Sequence, residues 1–164
     1  GYEGADRERA LALMKAARPA QLAADLRTSV AALRARPELQ GAVGAIGYCM
    51  GGRLAVLAAA DPGVDAAVCY YGGGIQNQLE HAARIRCPLQ FHYAGRDAAI
   101  PPEAVERVRE ALAQRSDAPP AEFHLYAPAQ HGFNCWARAS YHAPSAALAH
   151  GRSLQFLAQR LMAA

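Results

Sequence analysis

Three residues in this 164-residue sequence have the types and settings that nucleophilic chemistry requires: Cys49 in Gly47-Tyr48-Cys49-Met50-Gly51-Gly52, Asp97 after Gly95-Arg96, and His131 in Gln130-His131-Gly132-Phe133. An imidazole can take the proton of a thiol, and a carboxylate can fix the imidazole's tautomer and orientation. The G-x-C-x-G spacing falls where an apolar run gives way to a helix-forming one. Such a turn holds a nucleophile in a strained backbone conformation, and small flanking residues let strand and helix approach each other. The thiol then projects at a helix N-terminus, where backbone amides and the dipole favour the thiolate. The Met50 amide points at the same spot and could serve a developing oxyanion.

Each candidate has a plainer reading. Cys49 could be a small core residue beside a glycine turn, as Cys69 and Cys87 are expected to be. Asp97 could simply form a turn. Asp61 and Asp65 compete as the acid, but both precede a strand and so sit at the wrong end of a sheet. Among the histidines, His92 and His124 fall inside strands and His81, His142 and His150 in or near helices; only His131 follows a strand within a glycine-containing loop. Tyr48, Tyr71, Phe133 and Trp136 are candidates to line a pocket, although aromatics beside a core commonly serve packing alone.

The elements that must position these groups can be read from periodicity. A first helix, capped by Asp6, runs through Ala16 and is interrupted by Pro19; a second carries Leu22, Leu26, Val30 and Leu33 on one face until Pro37. Strands are expected at 42–48, 65–71, 88–94 and 121–127, and helices at 51–60, 76–84, 102–115 and 144–162. Alternating strands and helices imply an α/β fold, a mostly parallel sheet flanked by helices. The first strand, almost free of polar side chains, reads as central. Residues 1–164 form one domain with no internal boundary. In open α/β sheets functional groups gather at the carboxyl ends of the strands, so cysteine, acid and histidine reach one rim in that order.

Composition excludes several classes. With 52% hydrophobic and 19% charged residues and no apolar run of membrane-spanning length, the sequence reads as globular with no membrane partner. A net charge of +3, with arginines dispersed along helices, gives no footprint for nucleic acid. The four cysteines form no CxxC pair or zinc-spaced cluster, so no metal or redox dithiol is expected, and they fit a reducing, cytoplasmic compartment. Gly41, Gly44 and Gly47 precede and overlap the strand instead of opening the helix, and Gly72-Gly73-Gly74 lacks the Lys-Ser/Thr of a phosphate loop, so no nucleotide cofactor is expected.

The stretches "GYCMGGRLA", "YYGGGI", "GRDAAIPPE" and "QHGFNCWARASYHAPSAALA" resemble the dienelactone hydrolase (carboxymethylenebutenolidase) family, a branch of the α/β-hydrolase fold with a cysteine nucleophile. The resemblance runs from about residue 3 to 162 and corresponds to the C-terminal two-thirds of such a protein. It implies hydrolysis of a lactone or small ester without a cofactor, with Cys49 as nucleophile, Asp97 as acid and His131 as base. Family members bind a substrate carboxylate with arginines; the position four after the catalytic histidine is Cys135 here, and Arg138 is the nearest substitute, beside Trp136. Family members also begin with strands ahead of this region, which carry a second oxyanion amide, a glutamate and another arginine. Their absence would leave the first strand with an open apolar edge, a route to self-association. The alternative to a lactone or ester hydrolase is therefore a non-catalytic α/β-hydrolase fragment that needs a further segment or partner.

Overall fold

The computed structural model describes residues 3–39 and 41–162. Two helices, α1 (Gly4–Ala16) and α2 (Pro19–Arg34), precede β1 (Gly44–Tyr48), α3 (Met50–Ala58), β2 (Ala66–Tyr70), β3 (Leu89–Ala94), α4 (Pro102–Ala113), β4 (Glu122–Tyr126) and α5 (Ala143–Leu161). The four strands form a parallel sheet in the order β1-β2-β3-β4, with Tyr48 beside Tyr70 and Tyr70 beside His92. Every residue of β2 and β3 is buried, as expected of strands covered on both faces.

Side-chain alternation along the strands places the layers. On one face Cys69 lies against Gly52 of α3, while Phe91 stacks on Phe123, over which Arg109 of α4 sits at 4.2 Å. On the other face the Tyr70 hydroxyl meets Ser153 of α5 at 2.7 Å, and Ser153 Oγ lies 2.9 Å from His92 Nε2. Thus α3 and α4 cover one side and α5 the other.

The α5 face carries a buried polar network. The Gln90 amide nitrogen donates to Glu122 at 2.9 Å, which turns its carbonyl oxygen to His92 Nε2, also at 2.9 Å. That oxygen can only accept, so Nε2 carries the proton and Nδ1 accepts from the Tyr126 hydroxyl at 2.8 Å. Burial pushes the His92 imidazole down to about 3, aided by the charges of His124 and Arg152.

Four expectations change. The first helix starts at Gly4 with Glu3 at its N-cap and no side-chain cap bond, which puts Asp6 in the first turn, where its charge suits the dipole. The stretch expected as a helix over 76–84 forms two short 3-10 turns, Ile75–Asn77 and Leu79–Arg84. Gln78 breaks it, with φ −138° and ψ 35°, so that Ile75, Ala82 and Ile85 can each reach the core. Of the apolar residues on α2, Val30 is buried while Leu33 is exposed.

Finally, β1 is an edge strand of the described sheet, not a central one. Its lack of polar side chains reflects helices on its faces: Gly47 packs on α3 and Gly44 on Leu157 and Leu161 of α5. Ile46 and Tyr48 remain 46% and 41% exposed.

Candidate active site

Three strand ends deliver the three reactive groups. Cys49 follows β1 with φ 54° and ψ −119°, an unusual conformation for a side chain-bearing residue. It is fixed from both directions: its amide donates to the Tyr70 carbonyl at 3.0 Å, and its carbonyl accepts from Gly52 at 3.0 Å to begin α3. The turn fits because two glycines lack side chains. A Cβ on Gly47 would stand 1.9 Å from the Gly51 carbonyl oxygen, and one on Gly52 would stand 2.6 Å from the Tyr70 carbonyl oxygen.

Asp97 follows β3 and its side chain is 1% exposed. One carboxylate oxygen accepts the Ala99 amide at 2.9 Å; the other accepts Nδ1–H of His131 at 2.8 Å. The Asp97 side chain is thereby tied to its own turn while it holds the imidazole. On the far side of the ring, His131 Nε2 lies 3.1 Å from Cys49 Sγ. The structure therefore brings Cys49, His131 and Asp97 into one hydrogen-bonded line across residues 82 and 34 apart in sequence.

The electrostatics follow from this line. The hydrogen bond to Asp97, then that to Cys49, raises His131 to about 9 against the opposing effect of burial. The Cys49 thiol is lowered from its ordinary value, first by the His131 hydrogen bond and further by the His131 charge, the Met50 amide and the Arg138 charge, with burial opposing. Both directions favour a thiolate beside an imidazolium, the form in which sulfur is nucleophilic. Because the Met50 amide donates to the sulfur, it stands next to the position that an attacked carbonyl oxygen would take.

A cleft of about 740 Å³ opens at Cys49, lined by Tyr48, Tyr71, Asn134, Cys135, Trp136 and Arg138 with Gly132 and Ala137. Trp136 stands at its mouth, 85% exposed, whereas Tyr71 is 3% exposed, with its ring centroid 5.1 Å from that of His131. The Arg138 guanidinium folds back over Gly132, whose φ is +81° and whose absent Cβ would lie 2.7 Å from Nη1. Phe133, expected at the wall, is instead fully buried and packs on Tyr71 and Tyr126 at 5.3 and 5.1 Å. Its sequence neighbours Gly132 and Asn134 line the cleft, but the turn from Gln130 to Phe133 sends its side chain into the core.

Two features were not foreseen. Asn134 donates its backbone amide to the Tyr71 hydroxyl, and His142 caps α5 by accepting the Ser145 amide at 3.3 Å. Neither has a spacing signature, because both depend on the fold of loop 131–142. The competing acids are structural: Asp61 closes a turn onto the Gly63 amide at 2.8 Å, and Asp65 pairs with Arg34 and accepts the Val43 amide at 2.6 Å. Among the described residues no group of three or more His, Cys, Asp or Glu is arranged to hold a metal ion. No helix among them is long and apolar enough to cross a membrane.

A parallel sheet with a cysteine on a strained strand-to-helix turn, followed by a carboxylate and an imidazole at later strand ends, defines an α/β-hydrolase-fold protein. Residues 2–161 match the dienelactone hydrolase family, and the chain belongs to that family. It is 38% identical over 134 residues to the carboxymethylenebutenolidase of Pseudomonas putida, covering 82% of this chain and 56% of that one. It is 33% identical over 152 residues to the carboxymethylenebutenolidase of Pseudomonas sp. strain P51, covering 92% and 62%. The solved structure m3DLH superposes with a TM-score of 0.76 over 94% of this chain and 67% of that one at 24% identity, a likeness of fold. The chain thus spans about three-fifths of the length of the curated relatives it matches.

Proposed function

We propose that residues 1–164 act as one domain that hydrolyses a small carboxylic ester or lactone at Cys49. The observation that carries this reading is the line from Cys49 Sγ to His131 at 3.1 Å and from His131 to Asp97 at 2.8 Å, opening into a cleft. In the proposed reaction the Cys49 thiolate attacks the acyl carbon, and the Met50 amide stabilises the oxyanion. The His131 imidazolium gives its Nε2 proton to the leaving alkoxide, which leaves a thioester. Water then loses a proton to the same nitrogen, attacks the thioester and releases the acid. Asp97 keeps Nδ1 protonated throughout. Tyr48, Tyr71 and Trp136 offer apolar walls to the substrate, and Arg138 a positive charge. The four free thiols support a reducing, cytoplasmic setting.

The exposed edge of β1 favours a second reading, in which the site works only when another strand pairs there. Ile46 and Tyr48 lie along that edge, and the Met50 amide faces the sulfur as one oxyanion donor. Loss of one oxyanion donor typically costs about 100 to 1,000-fold in rate. A second copy of the chain, docked edge to edge, is the partner this reading names.

One experiment tests both. Turnover of a chromogenic acetyl ester and of a lactone is measured for the chain, Cys49→Ser and His131→Ala across a concentration series, with sedimentation run in parallel. Turnover that collapses in both variants supports the proposed site, and specific activity that rises with dimer fraction supports the second reading. Equal turnover in all three proteins overturns the assignment of Cys49 and His131.

A further inference from the structure

The four thiols occupy two chemical environments. Cys69 and Cys87 are buried, and burial pushes them up to about 12 and about 11, which leaves them as protonated, unreactive groups. Cys49 and Cys135 are both partly exposed and line the same cleft. Cys49 has His131 and the Met50 amide donating to its sulfur, with Arg138 adding a positive charge nearby. These are the conditions under which a thiolate meets an oxidant before other thiols do.

Cys135 lies close to this group through a short run of contacts. The His131 ring touches Cys49 on one side and Tyr71 on the other, and the Tyr71 hydroxyl accepts the amide of Asn134, the residue next to Cys135. Cys49, Tyr71 and Cys135 all line the one cleft, so both thiols open into the same space. Cys135 sits in a loop tied by local turns, from its amide to the Gly132 carbonyl at 2.9 Å and from the Arg138 amide to the Cys135 carbonyl at 3.1 Å. A disulfide requires Cα atoms within about 4.4–6.8 Å, and these turns, with the Asn134 amide on the Tyr71 hydroxyl, are what must give for Cys135 to meet that limit.

We propose that Cys49 and Cys135 form a hydroperoxide-sensitive thiol pair, in which Cys49 is oxidised first and Cys135 resolves the product to a disulfide that blocks the cleft reversibly. The Cys49 thiolate attacks one peroxide oxygen, so an S–O bond forms as the O–O bond breaks. The departing alkoxide or hydroxide takes the His131 proton. Sulfur loses two electrons, the peroxide gains them, and Cys49 becomes a sulfenic acid. The Cys135 thiol then gives up its proton and attacks the Cys49 sulfur, forming S–S and breaking S–O, and the hydroxide leaves with that proton as water. Two thiols and one hydroperoxide yield one disulfide, one alcohol and one water. Without Cys135 the sulfenic acid is open to a second oxidation, to the sulfinic acid, which ordinary thiols do not reverse.

The test reads mass and not turnover, so its outcome is separable from that of the hydrolase reading. The chain is exposed to equimolar hydrogen peroxide, unfolded, alkylated and mapped by peptide mass. The expected result is a peptide pair joined through Cys49 and Cys135, with Cys69 and Cys87 alkylated, and near-complete recovery of both thiols after dithiothreitol. In Cys135→Ser, or Cys135→Ala if the first variant does not fold, Cys49 is expected to accumulate as sulfinic acid and the recovery to be lost. Three outcomes overturn the proposal: oxidised Cys49 with Cys135 still free in the parent, a disulfide joining other residues or two chains, and a Cys49 no faster to oxidise than Cys69.

Discussion

The turn at Cys49 contains two glycines, Gly47 and Gly51, whose substitution should have opposite effects, and the contrast can be worked out from the backbone. An alanine Cβ at position 47 would lie 1.9 Å from the Gly51 carbonyl oxygen, 2.2 Å from its carbon and 2.8 Å from the Gly52 nitrogen. Against an ordinary contact of 3.4 Å the shortfall is about 1.5 Å, and every obstructing atom is backbone. The strand must separate from α3, so the cost belongs at the upper end of overpacking, about 3 kcal/mol. For a domain of this size that lowers the melting temperature by about 6–12 °C. At position 51 a Cβ meets nothing within 4 Å and the backbone is helical. Gly51→Ala should therefore gain about 0.4–1 kcal/mol from reduced unfolded-chain entropy, raising the midpoint by a few degrees. Thermal unfolding followed by circular dichroism measures both. If Gly47→Ala melts within about 2 °C of the parent, or Gly51→Ala melts below Gly47→Ala, the close approach of β1 and α3 is refuted.

Four further outcomes are expected. His131→Ala removes the chief support of the Cys49 thiolate; an unassisted thiol is only about 1% ionised at pH 6.5, so alkylation by iodoacetamide should slow by up to about 100-fold there, and an unchanged rate would contradict the 3.1 Å contact. The His131 imidazole should titrate near pH 9 by NMR, and in Asp97→Asn its midpoint should fall toward the ordinary value of about 6.5. His92, held down to about 3, stays neutral while the unfolded chain takes up a proton below about pH 6.5; its contribution is complete above that pH and is lost as acid approaches 3, by about 1.4 kcal/mol per pH unit, and a native signal assigned to His92 that titrates near 6 would exclude this. Ile46→Lys places a charge on the β1 edge and should shift any sedimenting dimer toward monomer at equal concentration, whereas an unaltered distribution would remove the edge from consideration.

Much of the fold and of the rim is legible in the sequence. Each strand lies within one or two residues of its sequence reading, because runs such as Pro88–Ala94 combine aromatic and apolar residues with turn signals at both ends. The rim placement of Cys49, Asp97 and His131 follows from their positions after strands of a parallel sheet, whose carboxyl ends share one rim. Local pattern fails where distant residues decide the outcome. The helix expected over 76–84 breaks at Gln78 because Ile75 and Ile85 are both drawn into the core. Phe133 is expected at the pocket wall, but the turn at 130–133 directs it inward onto Tyr71 and Tyr126. The Gly47–Gly51 spacing agrees with the close approach of those two backbones, whereas the second tight contact, Gly52 pressed against β2, has no such signal. The His92 network was invisible since its anchor, Ser153, lies 61 residues away on α5.

The strand order, identical to the order of synthesis, has a consequence for how the reactive centre comes into being. Each described strand is hydrogen-bonded to the one before it in sequence, so every crossover within β1–β4 is short-range and closes a small loop. Cys49 is laid down first, and Asp97 joins the rim with β3. His131, which supplies the main hydrogen bond to the sulfur, arrives only after β4 is in place. The nucleophilic character of Cys49 thus depends on a residue that β4 must bring to the rim, and any opening of β4 from β3 would return the sulfur to an ordinary thiol.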